Sequence, residues 1–277
     1  DSLVKNQDLV GSWSWILSSH ALNEMRFSAA GYVTDRVPLT KSGPDIRRPS
    51  GRFGKASNMP QGAKQLYLEF QNNFSYSVEN LAGTGSHDLK AGVNWYRGRI
   101  NLNFSNNLDG IFTFSTDQPF DPTNASTYPS QFNRNIGDPF IQTARTTTSL
   151  FIQDGWKPRR NITFNVGFRY DHDNQESPVG SRTASWDSYA PRFAVAWDPL
   201  ADGKTSIRGG YGIFNAGVFG TVMTNIKQAS GFVQVVIANP GYPDPLGFNP
   251  RGTRITNPTP STTIAAFDGK VPHTATT

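Results

Sequence analysis

The stretch from Thr147 to Asp173, TTSLFIQDGWKPRRNITFNVGFRYDHD, constrains this chain more than any other. Its second half alternates without a break. Ile162, Phe164, Val166, Phe168 and Tyr170 take one parity, and Thr163, Asn165, Gly167, Arg169 and Asp171 the other. Side chains two apart on a strand share a face, so this is a strand with one apolar and one polar side. The first half puts Leu150, Ile152 and Trp156 on one parity, interrupted by Asp154. Lys157-Pro158-Arg159-Arg160-Asn161 leaves no room for a helix between them, so the pair reads as an antiparallel hairpin.

The same period recurs along the chain. Segments at about 9–18, 22–32, 64–80, 87–97, 147–157, 162–173, 188–198 and 205–214 each carry a period-two pattern. Each is about ten residues or longer, the ~9–11 that an oblique crossing of a bilayer needs. The connections sort into short turns at one end and long ones at the other, with a modest loop over 172–187. The long regions 33–63, 98–146 and 215–277 are rich in Gly, Pro and polar residues and read as loops, with 111–114 and 231–238 as short apolar pieces. Tight turns on one side and long loops on the other are the arrangement of an outer-membrane barrel. Trp13, Trp15, Trp95, Trp156, Tyr170 and Trp197 are placed for an interfacial aromatic girdle.

Composition excludes several classes. With no cysteine there is no disulfide, thiolate metal site or Cys nucleophile. The net charge of +5 is spread without a Lys/Arg block beyond two pairs, so no nucleic-acid footprint is drawn. No apolar run reaches the ~18–20 residues of a membrane helix, which leaves strands as the means of crossing. His20, His87, His172 and His273 lack metal-ligand spacing. In Asp171-His172-Asp173 the neighbours diverge across a strand. Gly209-Gly210-Tyr211-Gly212 has no following helix and no Lys-Ser/Thr for a phosphate loop. No G-x-S-x-G elbow occurs, so no catalytic residue, metal site or cofactor is expected and the chain is not read as an enzyme. The polar parity nominates Glu69, Lys90, Asn94, Arg169 and Arg208 as lumen-facing. Aromatic residues in 120–132 and 242–248 suit capture of a saccharide or peptide.

The block Leu150-Phe151-Ile152-Gln153-Asp154, Trp156, then Asn165-Val166-Gly167-Phe168-Arg169-Tyr170-Asp171 resembles a strand–turn–strand unit of TonB-dependent outer-membrane transporters, especially the Oar-like branch. Asn23 to Phe27, His87 to Val93, Ala190 to Pro199 and Gly203 to Phe214 are similar in the same order, and the resemblance spans most of residues 1–249. It implies an all-β, antiparallel, up-and-down transmembrane barrel of which this chain is an incomplete interior segment of about eight long strands. It also implies outer-membrane lipid, a plug domain, further barrel strands and, through the plug, the TonB system as partners, in the uptake or export of a bulky solute. Such a segment alone is expected neither to bind nor to move a solute. A self-contained small outer-membrane barrel acting as porin or adhesin, or a soluble all-β carbohydrate-binding module, are the alternatives that the pattern leaves open.

Overall fold

The computed structural model describes residues 2–177, 183–215, 225, 231–260 and 275–276. Eight strands form one sheet: β1 (Ser2–Ile16), β2 (Ala21–Arg36), β5 (Gln61–Val78), β6 (Ser86–Phe104), β9 (Phe140–Arg159), β10 (Ile162–Glu176), β11 (Thr183–Trp197) and β12 (Ile207–Gly212). They pair in the order β1-β2-β5-β6-β9-β10-β11-β12, an antiparallel meander. Among the described residues the sheet is not closed: β1 and β12 are its edges. All fifteen residues of β1 are exposed, on both faces.

Directly opposed residues of an antiparallel ladder share a face. The registers carry one apolar face across the sheet, for example Phe74–Ala91–Ile152–Phe168 and Leu89–Asp154–Val166–Phe193–Tyr211. Its large side chains stay exposed, among them Trp13, Leu66, Phe74, Ile152, Val166 and Phe193. A face of that kind needs an apolar medium to cover it. The tight connections lie at one end. Between β9 and β10 only Arg160 and Asn161 turn the chain. Between β5 and β6, Gly85 has a φ of 106° and sits so close to the Lys157 carbonyl that a Cβ would collide with it.

At the other end the structure departs from the sequence reading. The regions 33–63, 98–146 and 215–277 are not plain loops. The long strands extend into them, β2 to Arg36, β6 to Phe104 and β9 back to Phe140. The loop over 172–187 also shrinks, since β10 reaches Glu176 and β11 begins at Thr183. A second sheet then forms from β3 (Asp45–Arg48), β4 (Gly51–Gly54), β7 (Ile111–Thr113), β8 (Gln131–Gly137), β14 (Phe232–Ala238) and β15 (Arg254–Pro260). Its order is β15-β14-β8-β7-β3-β4, with β3 and β7 parallel. The two-residue β13 (Phe214–Asn215) pairs with β16 (Ala275–Thr276). The rest of the last region, 216–224, 226–230, 261–274 and 277, lies outside the described residues.

Three connections far apart in sequence thus build one cap. Phe112, Phe114, Phe132 and Ile237 form its core, with Ile46, Val235 and Tyr242 packed against them. The Tyr242 ring stands edge-on to Phe112 at 5.1 Å and to Phe114 at 5.4 Å, the geometry that the aromatic quadrupole favours. Backbone bonds join the cap to itself and to the strand ends: Phe104 N–H to Pro139 O at 3.0 Å, Asn107 N–H to Ser57 O at 2.6 Å and Asn135 N–H to Asn107 O at 2.9 Å.

Candidate functional site

The second face of the large sheet is polar, and the registers place Glu69, Lys90, Asn94, Arg169 and Arg208 all on it. Three of the five join a belt of hydrogen bonds. Glu69 Oε1 accepts from Gln71 Nε2 at 2.7 Å and from Asn94 Nδ2 at 3.2 Å. Arg169 donates from Nε to Asp171 Oδ1 at 2.9 Å and from an Nη to Ser149 Oγ at 2.7 Å. One rung further, Arg145 pairs with the buried Asp173 at 2.7 Å. Further still, Gln175 Nε2 donates to Thr143 Oγ1 at 2.7 Å. Lys90 and Arg208 lie nearer the tight turns, outside this belt, and Arg208 Nε donates to Ser206 Oγ at 3.1 Å. The belt holds its charges in fixed geometry, and charge-assisted bonds of this kind are the strong ones.

His172 points to the apolar face while Asp171 and Asp173 point to the polar one, so the Asp-His-Asp run does not converge. His172 Nδ1 instead meets Asp187 Oδ1 at 2.8 Å, and Tyr170 donates to the same carboxylate at 2.7 Å. Among the described residues no group of three His, Asp or Glu is placed to hold a metal.

The six nominated aromatics all lie on the apolar face, in two tiers. Trp13, Trp15, Trp156 and Trp197 stand at the tight-turn ends of β1, β9 and β11. Trp95 is the tenth residue of β6 and Tyr170 the ninth of β10, counted from the tight turns. By register six to eight residues separate the tiers. At about 3.4 Å per residue and a tilt of ~40° that is roughly 16–21 Å, within the ~25 Å of an outer-membrane apolar band.

Two polar pairs lie on this face. Asn23 and Asn72 exchange two amide bonds of 3.1 Å. Asp154 Oδ2 meets His87 Nδ1 at 2.7 Å, the other imidazole nitrogen meets Thr84 Oγ1 at 2.9 Å, and Trp156 stacks on the imidazole with centroids 5.9 Å apart. Burying such groups without partners would be costly.

A family model described as an outer membrane beta barrel domain matches residues 1–187 and 172–277. The chain belongs to the outer-membrane β-barrel domain family. It is a protein of the bacterial outer membrane, and its large sheet is barrel wall. No curated protein matches it.

The cap of this barrel protein corrects one expectation from the sequence. Tyr128 and Phe132 are buried, and Phe120 and Tyr242 pack against the same cluster, so they build the cap and are not presented for capture. A long aromatic-bearing segment fixed in a compact body needs those rings inside. Of 242–248, the large hydrophobic side chains that stand out are Leu246 and Phe248, at 66% and 79% exposure.

The charges of the cap also escaped the sequence reading. Asp45 is 2% exposed and bonded by Arg52, with Arg47 Nε at 3.6 Å. Burial works to push the Asp45 carboxyl up. Hydrogen bonds from Arg52 and Ser57 and the charges of Arg52 and Arg47 outweigh it and hold the group below the usual carboxylate range. Arg48 donates to the carbonyls of Thr116 at 2.9 Å and Gln118 at 2.8 Å and lies 4.1 Å above the Phe114 ring. Arg47-Arg48 in the sequence was the only hint of this.

Proposed function

We propose that the chain is part of the wall of a TonB-dependent transporter of the Oar-like kind, engaged in uptake or export of a bulky solute without chemical change. The observation that carries this reading is the open sheet. Among the described residues, eight strands with a hydrated, charge-fixed face end in two unpaired edges, β1 and β12, which further barrel strands would complete. In this reading Glu69, Lys90, Asn94, Arg169 and Arg208 face a lumen and a plug domain. The cap stands over the mouth, and its exposed Leu246 and Phe248 are the first groups a solute meets. The resemblance of the 147–173 hairpin and four other segments to that transporter class supports it.

The second reading is a self-contained small barrel serving as porin or adhesin. Eight strands are enough to close a barrel, which is what favours it. Solute flux through outer membranes carrying the full-length protein separates the two. Energised transport stops when the proton-motive force is dissipated. Flux that continues unchanged would discard the transporter reading and leave the passive barrel.

A further inference from the structure

Above the upper aromatic tier the apolar face changes character. One rung beyond Trp95 stands Arg97, opposite Leu68, and the next rung holds Arg99, opposite Leu66. The rung after that runs Lys5–Val33–Lys64–Asn101–Gln142. Arg97 and Arg99 are about 7 Å apart along one strand, and Lys64 is diagonal to Arg99 on the next, about 7–8 Å away. Three cations therefore stand within reach of one group, interleaved with leucine and valine.

Their pairing differs. Arg97 is tied to Thr146 Oγ1 at 3.0 Å and to Glu176 at 3.3 Å. Lys64 and Arg99 are exposed, and neither has an ion pair among the described residues. Beside Lys64 a groove of about 530 Å³ opens, lined by Leu3, Val33, Lys64, Phe140 and Gln142, with Asp35 on its lip. By register the side chains of these six residues are on the apolar face. Phe140 and Leu3 are 59% and 49% exposed.

We infer that this belt and groove hold a phosphate-bearing glycolipid of the outer leaflet. Its phosphates would lie on Lys64 and Arg99, and part of its apolar body on Leu66, Val33 and Phe140. Three observations meet here. The cations begin one rung above the tier that marks the edge of the apolar band, which is headgroup depth. Lys64 and Arg99 have no ion pair among the described residues, where an anion would be held. The groove beside Lys64 sets Leu3, Val33 and Phe140 next to that cation, which suits an amphiphile and not a free ion. Asp35, the carboxylate nearest the groove, stands one rung beyond Lys64, away from Arg99. The inference needs only that the apolar face meets lipid, and it stands whichever solute the barrel passes.

The test is native mass spectrometry of the full-length protein extracted from outer membranes into mild detergent, with strand content checked by circular dichroism. The wild type should retain lipopolysaccharide. A Lys64→Gln/Arg99→Gln variant should retain at least tenfold less, while Lys64→Arg/Arg99→Lys keeps it and Lys204→Gln, at the opposite end of the wall, changes nothing. Equal retention in the Gln variant would overturn the inference. So would equal retention of phosphatidylethanolamine, displacement of the lipid by millimolar inorganic phosphate, or a second copy of the chain in place of lipid.

Discussion

Phe151 fills the space that a side chain at Gly92 would occupy. The two are opposed across the β6–β9 ladder, and a Cβ built on Gly92 would stand 2.6 Å from Cε1 of the ring. It would also stand 2.7 Å from the Asn72 carbonyl oxygen, which the ladder holds in place. An aromatic ring laid over a glycine in this way pins strand register. Gly92→Ala is therefore expected to destabilise the wall by about 1–3 kcal/mol, the usual range for overpacking. Urea unfolding from lipid vesicles measures it. Combining it with Phe151→Leu should recover part of the loss, and full additivity of the two changes would sink the contact.

Arginine on the apolar face should be tolerated according to what lies opposite. Phe193 faces Val166 and Tyr211, midway along β11 between Trp197 and the residue opposite Tyr170. Phe193→Arg should cost about 2–4 kcal/mol beyond Phe193→Ala, the range for arginine at a bilayer midplane. Val166 faces Asp154, so Val166→Arg should be the milder change. Asn165→Arg, on the polar face, should be close to neutral. Folding yield into vesicles ranks the three, and a reversed order would mean that the two faces have been exchanged.

His87 and Asp154 should behave as one unit. Removing His87 leaves the Asp154 carboxylate without its 2.7 Å partner, on the apolar face. His87→Ala is expected to cost about 1–3 kcal/mol, as for a polar group left unsatisfied. The double variant His87→Ala/Asp154→Ala should cost less than the sum of the single ones. A double-mutant cycle with no coupling would show that the pair forms no bond in the membrane.

Acid should loosen the cap before the wall. The Asp45 carboxyl is held below its ordinary value of 3.8 in the folded chain, so folding favours its charged form. Its contribution is complete above the unfolded-chain value of about 3.9 and is lost as pH falls through the lower folded value. A fluorine label on Tyr242 should report a released environment only below that range. Asp45→Asn should release it at every pH. A Tyr242 signal that stays fixed to pH 2 in the wild type would remove Asp45 from this role.

The legible part of the fold was the part with period. Seven of the eight wall strands run fifteen to twenty residues, long enough to repeat the alternation and fix which side chains share a face. The polar belt was legible for the same reason, since a parity assigns a face. The cap was not. β7 has three residues and β3 four, too few to show a period. Parallel pairing of Asp45 with Ile111 joins chain segments with no local signal between them. Asp154 was visible only as an interruption in the apolar parity of β9. Its partner His87 lies on another strand, and only the register reveals it.

The parallel pairing of β3 with β7 has a consequence for assembly. Asp45 and Ile111 can meet only after β5 and β6, which lie between them in the chain, have folded back on each other. Long-range pairings wait on the closure of the loops they span. β14 must then arrive from beyond β12 to complete the aromatic core. The wall can zip up hairpin by hairpin, but the cap cannot form until the wall is ordered on both sides of it. A packed Tyr242 is thus a chronological marker: it reports that the wall strands before it have already found their places.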